Sequence, residues 1–257
     1  MLPVSGVVIA FNEEEYIGQC IRSLQRVCDE VVVVDSLSTD RTPEICKSMG
    51  VRFIEQAFLG YIEQKNFALE QAKYDHVLSL DADEALSDEL VVSIGRVKTN
   101  WTHDGYEFNR MNRFCGKWLR YTNHYPDRKL RLWDRRKGSW GGVNPHDKVI
   151  MQDGASTKRL KGDLLHWMCD SYEEHLDTIN RFSTIAAAEA YRKGETCSAW
   201  KVWYKTCWRF MQHFLIKRGF LHGYMGFVVS YQDAFLCFQK YVKLRHKILA
   251  ARKEDAS

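Results

Sequence analysis

Short apolar runs alternate with amphipathic stretches through the first hundred residues. Four runs rich in β-branched residues predict short strands covered on both faces, at residues 4–10, 31–35, 51–55 and 76–80. Between them, apolar residues such as Ile17, Ile21 and Leu24 recur at helical spacing. This alternation predicts βαβ units, and therefore an α/β domain built on a mainly parallel sheet.

Start and stop signals bound four predicted helices in this region. Asn12 can cap the first helix, Thr42 starts the second with a proline behind it, and Gly50 ends it. A third helix is expected at residues 62–72, and Ser87 is expected to cap a fourth whose first turn is acidic.

The pattern changes after residue 100. Short segments rich in Trp, Arg and Gly predict mixed strands and binding loops, and from Ser171, with Glu174 in a capping box, the chain becomes helical. We therefore expect one domain over residues 1–170 and a helical C-terminal extension over residues 171–257. The helices of the extension are expected at residues 172–193, 200–218 and 227–252.

Charge is unevenly distributed along the chain, although the net charge is only +4. Residues 192–257 hold 13 Lys/Arg against 4 Asp/Glu, together with 13 Phe, Trp and Tyr. Basic residues interleaved with aromatics are typical of a surface that meets anionic lipid headgroups, which we expect here rather than nucleic acid. The alternative is a helical subdomain whose aromatics form its core and whose Lys/Arg are solvated.

The cysteine pattern and the N-terminal sequence predict a cytoplasmic location for the protein. The eight cysteines form no Cys-x-x-Cys pair and no secretory segment precedes them, so we expect them to be reduced. No run of 18 apolar residues is present, because His222, Gln232 and Asp233 interrupt the most apolar stretch of the extension. We expect a peripheral protein on the inner face of the cytoplasmic membrane.

Acidic and polar clusters follow three of the predicted strands. They are Asn12-Glu13-Glu14, residues 35–40 and residues 81–84. Because alternate side chains of an extended segment point the same way, we expect Asp81 and Asp83 to reach one shared ligand and Glu84 to face away from it. Ligands of open parallel sheets bind at the carboxyl ends of the strands, and paired carboxylates suit Mg²⁺ or Mn²⁺ with phosphate oxygens in the remaining positions. Each cluster alone is also compatible with a solvated turn. Because neither a dinucleotide fingerprint nor a P-loop is present, a nucleotide held through carboxylates and metal fits best.

Four segments in their order and spacing resemble the inverting family 2 glycosyltransferases, which have a GT-A fold. They are residues 10–14, residues 34–40, Gln64-Lys65-Asn66 and residues 80–84. The later Trp-rich loops and aromatic tail look like the bacterial WaaE/KdtX-type branch, which acts on the lipopolysaccharide core. The resemblance implies transfer of a sugar from a UDP-sugar to a lipid-linked saccharide acceptor.

The resemblance also implies roles for individual residues. Asp81 is expected to meet the ribose or sugar and Asp83 the metal, while His166 is either a third metal or diphosphate contact or an ordinary core histidine. Asn12 and Glu13 are alternatively helix-capping groups, and Lys65 a solvated side chain. The nucleotide-binding set is Ala10, Phe11, Asn12, Glu13 and Asp35, with Lys65 nearby.

An inverting transfer needs a base that takes the proton from the acceptor hydroxyl. Asp147 is the first candidate and His146 the second, unless His146 is a plain loop histidine. The related branch looks like Val-His-Glu here, whereas this chain inserts Asn144-Pro145 and has Asp in place of Glu. Four arginines are candidates for holding diphosphate or an acidic acceptor, or else form a solvated edge: Arg128, Arg131, Arg135 and Arg136.

The sequence thus predicts a metal-dependent inverting glycosyltransferase with Mg²⁺ or Mn²⁺ as cofactor. Two other classes are open, a nucleotidyltransferase that releases pyrophosphate and a non-catalytic membrane-docking or glycan-binding protein with the same fold. The candidate side chains for the membrane or acceptor face are Trp203, Trp208, Phe210, Phe214, Phe220 and Phe227.

Overall fold

The computed structural model describes residues 1–143 and 146–254. The chain divides into two compact units. The first comprises Met1–Asn112 and Pro126–Met168, and the second comprises Arg113–Tyr125 and Cys169–Ser257. The boundary that the sequence places at residue 170 stays a prediction.

Parallel strands form half of the central sheet of the first unit, as the apolar runs predict. These strands are β1 (Val4–Ala10), β2 (Glu30–Asp35), β3 (Arg52–Glu55) and β4 (His76–Asp81), in the spatial order β3-β2-β1-β4. The register pairs Ala10 with Asp35 and Ile9 with Asp81. The carboxyl ends of three neighbouring strands therefore meet at one edge of the sheet. The predicted α/β class is confirmed.

Helices α1 (Ile17–Gln25), α2 (Thr42–Ser48), α3 (Tyr61–Glu70) and α4 (Asp88–Thr99) connect or follow these strands. Ser87 caps α4 as predicted, since its side chain accepts a hydrogen bond from the Leu90 amide. The cap predicted at Asn12 is wrong. Helix α1 begins only at Ile17 and has no side-chain cap, because Asn12 adopts a left-handed conformation (φ 54°) and bonds to another loop.

The second half of the sheet is mixed, as expected from the sequence after residue 100. Strand β4 is followed in space by β8 (Asp127–Asp134), β6 (Gly105–Phe114), β11 (Thr157–Cys169) and β5 (Glu84–Leu86). The short β7 (Lys117–Trp118) pairs with the last residues of β6. Strands β9 (Gly138–Val143) and β10 (His146–Met151) form a separate antiparallel ribbon that places Asp147 opposite Gly142.

Three long helices dominate the second unit. They are α5 (Tyr172–Arg192), α6 (Ala199–Met211) and α7 (Tyr224–Glu254), with a π-helical turn at Gln212–Ile216 and a 3₁₀ turn at Gly219–His222. Helix α6 thus ends earlier than predicted. Ser171 caps α5 by accepting from the Glu174 amide, whereas the Glu174 carboxylate accepts from the Asp170 amide. In the described part of the chain, no helix has the length and apolar character needed to cross a bilayer.

The buried cluster formed by the helices of this unit is mainly aliphatic, with Tyr241 packed against it, and the alternative of an aromatic helical core stays a prediction. Its members are small or aliphatic: Ala187, Ala190, Cys197, Val202 and Leu244. The large aromatic side chains of α6 lie outside, with Trp203 59% and Trp208 49% exposed. An apolar surface of this kind is typical of an interaction site.

Candidate active site

The loops that follow β1 and β2 are bonded to each other at the carboxyl edge of the sheet. The Asn12 amide donates to Ser38 Oγ at 2.8 Å, and Asn12 Oδ1 accepts from the Thr39 amide at 2.8 Å. The Glu13 amide donates to Thr42 Oγ1 at 2.8 Å. Asn12 and Glu13 therefore shape the entrance to this edge instead of capping a helix.

Asp35, the last residue of β2, forms hydrogen bonds with the loop that follows this strand. It is 1% exposed, and its carboxylate accepts hydrogen bonds from Ser38 Oγ at 2.5 Å and the Ser38 amide at 2.7 Å. Ala10 is buried beside it, while Phe11 projects into solvent. The structure thus places this part of the predicted nucleotide-binding set together, and direct contact between Asp35 and a nucleotide stays a prediction.

Lys65 lies between two carboxylates from different elements. Its Nζ is 2.7 Å from Asp81 Oδ1 on β4 and 2.7 Å from Asp147 Oδ2 on β10. The side chain is buried, and its ammonium lies 4.3 Å from the centre of the Trp140 ring. The alternative of a solvated Lys65 is therefore wrong. A buried cation paired on both sides holds the predicted sugar contact and the predicted base in one site.

The residues on either side of Lys65 fix α3 to its surroundings. Gln64 Nε2 donates to Ser36 Oγ and to the Gln56 carbonyl, each at 3.2 Å. Asn66 exchanges two hydrogen bonds with the backbone of Trp140 on β9. The Gln-Lys-Asn motif of the sequence thus connects the β2 loop, the acidic edge and the β9-β10 ribbon.

Asp81 has a second buried partner, Arg131, which donates from Nη2 to Asp81 Oδ2 at 2.6 Å and to Glu84 Oε1 at 2.9 Å. Burial alone would raise the pKa of Asp81, but the Arg131 and Lys65 cations hold that pKa well below its usual range. Burial would likewise lower the pKa of Arg131, yet Asp81 and Glu84 raise it. Asp81 is consequently an anion at neutral pH.

Glu84 and Arg110 are site residues that the sequence analysis missed. Glu84 is fully buried, accepts from both Arg131 and Arg110, and also accepts from the Asp81 amide at 3.0 Å. The expectation that Glu84 would face away from the site is wrong, because β4 ends at Asp81 and the chain turns before β5. The sequence does signal Glu84, as a third acid next to the Asp-x-Asp motif. It does not reveal the partners of Glu84, because Arg110 and Arg131 lie 26 and 47 positions further along the chain.

Asp83 lies in that turn and pairs with His166 of β11. Asp83 Oδ2 is 3.1 Å from His166 Nε2, and His166 Nδ1 is 2.5 Å from Asn112 Oδ1. Each ring nitrogen thus faces an oxygen, and the two contacts together fix the orientation of the imidazole ring. His166 therefore lies beside Asp83, and its role as a metal or diphosphate contact stays a prediction. Asp81 and Asp83 therefore do not meet at one shared partner. Asp81 pairs with Lys65 and Arg131, whereas Asp83 pairs with His166.

These two side chains are compatible with a divalent cation. In residues 1–143 and 146–254, no three His, Cys, Asp or Glu side chains converge as a metal set. Mn²⁺ and Mg²⁺, however, commonly take one or two protein ligands and complete their shell with phosphate oxygens and water. The carboxylate and imidazole of Asp83 and His166 fit that requirement, with the imidazole favouring Mn²⁺.

The candidate arginines separate by position. Of the four candidates, Arg131 lies in the site, where it pairs with Asp81 and Glu84. Arg135 and Arg136 pair with Asp75, which precedes β4, so they lie at the opposite edge of the sheet and the diphosphate role considered for them is wrong. Arg128 is exposed on β8. The side chain of His146, the second candidate base, lies outside the described residues.

Comparison with known proteins gives an independent assignment. The sequence profile described as Glycosyl transferase family 2 matches residues 5–155. An uncharacterized glycosyltransferase of Rickettsia typhi is 31% identical over 267 residues, which cover 100% of this chain and 91% of the relative. The lipopolysaccharide core biosynthesis glycosyltransferase LpsC of Rhizobium meliloti is 30% identical over 264 residues, covering 99% and 97%.

Among solved structures, similarity extends to S. aureus TarS 1-349 in complex with UDP-GlcNAc. The TM-score is 0.47 at 14% identity, over 98% of this chain and 92% of that chain.

Proposed function

The chain belongs to glycosyl transferase family 2, and from this premise we propose that it transfers a sugar, glucose being the first candidate, from a UDP-sugar to a lipid-linked glycan with inversion. It is a glycosyltransferase with a GT-A fold, as the resemblance implied. Another UDP-hexose or UDP-N-acetylhexosamine transferase of cell-surface polysaccharide synthesis is the nearest alternative.

The observation that supports the proposal most is the Lys65 bridge. It holds Asp81, at the carboxyl end of β4, and Asp147, on the β9-β10 ribbon, on one cation. In the proposal, uridine lies among Ala10, Phe11, Asn12 and the buried Asp35 loop, while the Asp81 anion accepts hydrogen bonds from ribose or sugar hydroxyls.

Asp83 and His166 would hold Mn²⁺ or Mg²⁺. When bound, the cation supplies positive charge that neutralises the diphosphate as the bond to the anomeric carbon breaks. The protein's part would be to orient the imidazole ring of His166, which its hydrogen bond with Asn112 supports.

Asp147 is the proposed base that takes the acceptor proton on its carboxylate. Lys65 helps in two ways. It holds the Asp147 carboxylate in place before the reaction, and it retains Asp81 as a partner once Asp147 has taken the proton, so no buried cation is left unpaired.

The second unit is proposed to bring the protein to the inner face of the cytoplasmic membrane, where a lipid-linked acceptor such as lipopolysaccharide inner core is present. Its excess of Lys/Arg and the exposed Trp203 and Trp208 suit an anionic lipid surface. Phe210 and Phe214 stack on each other beside Phe227 and so support this face. Replacing both tryptophans with serine should weaken binding to phosphatidylglycerol vesicles; unchanged binding contradicts this part.

Calorimetric titration of UDP in the presence of Mn²⁺ tests the donor assignment. Wild-type protein should bind UDP. Asp81→Asn should bind more weakly by about tenfold, as expected for loss of a charge-assisted hydrogen bond. Asp75→Asn, a matched change at the amino end of the same strand, should bind like wild type. A chain that binds neither UDP nor Mn²⁺ contradicts the proposal, and pyrophosphate release from a nucleoside triphosphate would indicate a nucleotidyltransferase.

A further inference from the structure

The second unit contains a pocket lined mainly by aromatic side chains. Its volume is about 480 Å³, and it is formed by Phe114 at the end of β6, Tyr172 at the start of α5 and one face of the first turns of α7. On α7 the lining residues Tyr224, Phe227 and Tyr231 recur at helical spacing, which brings their rings to the same side. The pocket lies entirely in this unit and uses none of the residues assigned to sugar transfer.

Gln232 contributes a buried side-chain oxygen to this pocket. The residue lines the pocket and is only 1% exposed, yet its Oε1 is buried and accepts no hydrogen bond from residues 1–143 or 146–254. A buried carbonyl oxygen without a donor is costly, and such atoms are rare in folded proteins. Gln232 Oε1 therefore has acceptor capacity left for a hydrogen-bond donor that enters the pocket.

The lining restricts the chemistry of that donor. None of the described lining side chains is charged, so phosphate or carboxylate groups find no counter-ion here. An acyl chain would fit the aromatic surface but has no donor for Gln232 Oε1. A sugar ring satisfies both conditions, because its C–H face packs on flat aromatic rings while its hydroxyls donate.

We propose that this pocket is a second carbohydrate site, which binds a neutral sugar ring stacked on the α7 aromatics with one hydroxyl donating to Gln232 Oε1. The choice of a sugar over other neutral donors rests on the proposed function, in which the acceptor is a glycan. Such a site would hold a part of the acceptor that does not react.

Saturation-transfer NMR with methyl β-D-glucopyranoside and cellobiose, in the absence of nucleotide, tests the proposal. The full-length wild-type chain should bind cellobiose. Gln232→Leu removes the acceptor with little change in volume and should weaken binding about fivefold, and Tyr224→Ala, which removes an exposed ring, should weaken it by a similar factor. Tyr191→Ala, an exposed tyrosine outside the pocket, is the matched control and should bind like wild type.

A lipid probe separates the two occupants. Dodecylphosphocholine below its critical micelle concentration has no hydrogen-bond donor. Gln232→Leu should therefore strengthen binding of this detergent while it weakens binding of cellobiose. Two results would overturn the proposal. In the first, the wild-type chain binds the detergent but neither sugar. In the second, Gln232→Leu and Tyr224→Ala bind sugar like wild type, while thermal melting shows that all variants are folded.

The same samples are then titrated with UDP and Mn²⁺. UDP binding without sugar binding overturns only the second site. Sugar binding in the pocket without UDP binding overturns only the proposed transferase donor.

Discussion

Lys65 Nζ lies 2.7 Å from Asp147 Oδ2, which joins helix α3, beside the parallel half of the sheet, to the β9-β10 ribbon. The same ammonium is 2.7 Å from Asp81, so one buried cation serves two acids that the sequence separates by 66 positions. The three side chains therefore form one buried network, and loss of any member leaves a charge without a partner.

Lys65→Met should therefore cost stability as well as activity. It leaves the Asp147 carboxylate, which is only 11% exposed, without its cation, and removing one partner of a buried pair typically costs about 3 kcal/mol. Urea unfolding measures this loss. Lys73→Met, at an exposed lysine, should stay close to wild type, and the double variant Lys65→Met/Asp147→Asn should recover part of the stability. Equal stability of Lys65→Met and wild type would show that the bridge does not form.

Glu84→Gln should destabilise the protein more than Asp127→Asn, although both acids pair with Arg110. Glu84 is fully buried and also pairs with Arg131, whereas Asp127 is 27% exposed and solvent screens its pair. We expect a loss of about 3 kcal/mol for Glu84→Gln and below about 1 kcal/mol for Asp127→Asn, from urea unfolding. The reverse order would contradict a structural role for Glu84.

Acid should remove the contribution of Asp81. Its pKa is lowered in the folded protein, so the stabilisation is present above the ordinary aspartate pKa of about 4 and is lost as the pH falls toward the folded value. Other carboxyls titrate in this range too, and the comparison with Asp81→Asn isolates one of them. The difference in unfolding free energy between wild type and Asp81→Asn should be constant above about pH 5 and shrink below it. A difference that grows in acid contradicts the assignment.

Much of this architecture could be predicted from the sequence, because strands β1 to β4 follow apolar runs and α4 follows a serine cap. The meeting of residues 10–13, 35 and 81 at the carboxyl edge of the sheet could be predicted as well, since it follows from chain order and the parallel-sheet rule. Burial of Lys65 could not, because it depends on a ribbon that begins more than 70 residues later. The partner of Asn12 could not be predicted for a similar reason. The local sequence predicts a helix cap at Asn12, but its side chain accepts from the Thr39 amide, 27 positions away.

Asp147→Asn tests the proposed base. Loss of general base catalysis should lower kcat by about 10²- to 10⁴-fold, whereas UDP affinity should hold, because Lys65 keeps Asp81 as its partner. Asp147→Glu should retain measurable turnover, as it keeps the carboxylate. Initial rates of UDP release with a saturating acceptor provide the measurement, and a near wild-type kcat for Asp147→Asn would assign the proton transfer to another group.

The central claim, that Asp83 helps to hold a cation for sugar transfer from a UDP-sugar, is tested most directly by Mn²⁺-dependent UDP release from UDP-glucose with a lipid-core acceptor. Wild type should turn over only with the cation, Asp83→Ala should lose about 100-fold or more with its fold intact, and the surface control Asp88→Ala should match wild type. Turnover by Asp83→Ala at the wild-type rate, or wild-type turnover that chelation of divalent cations does not change, would contradict the account.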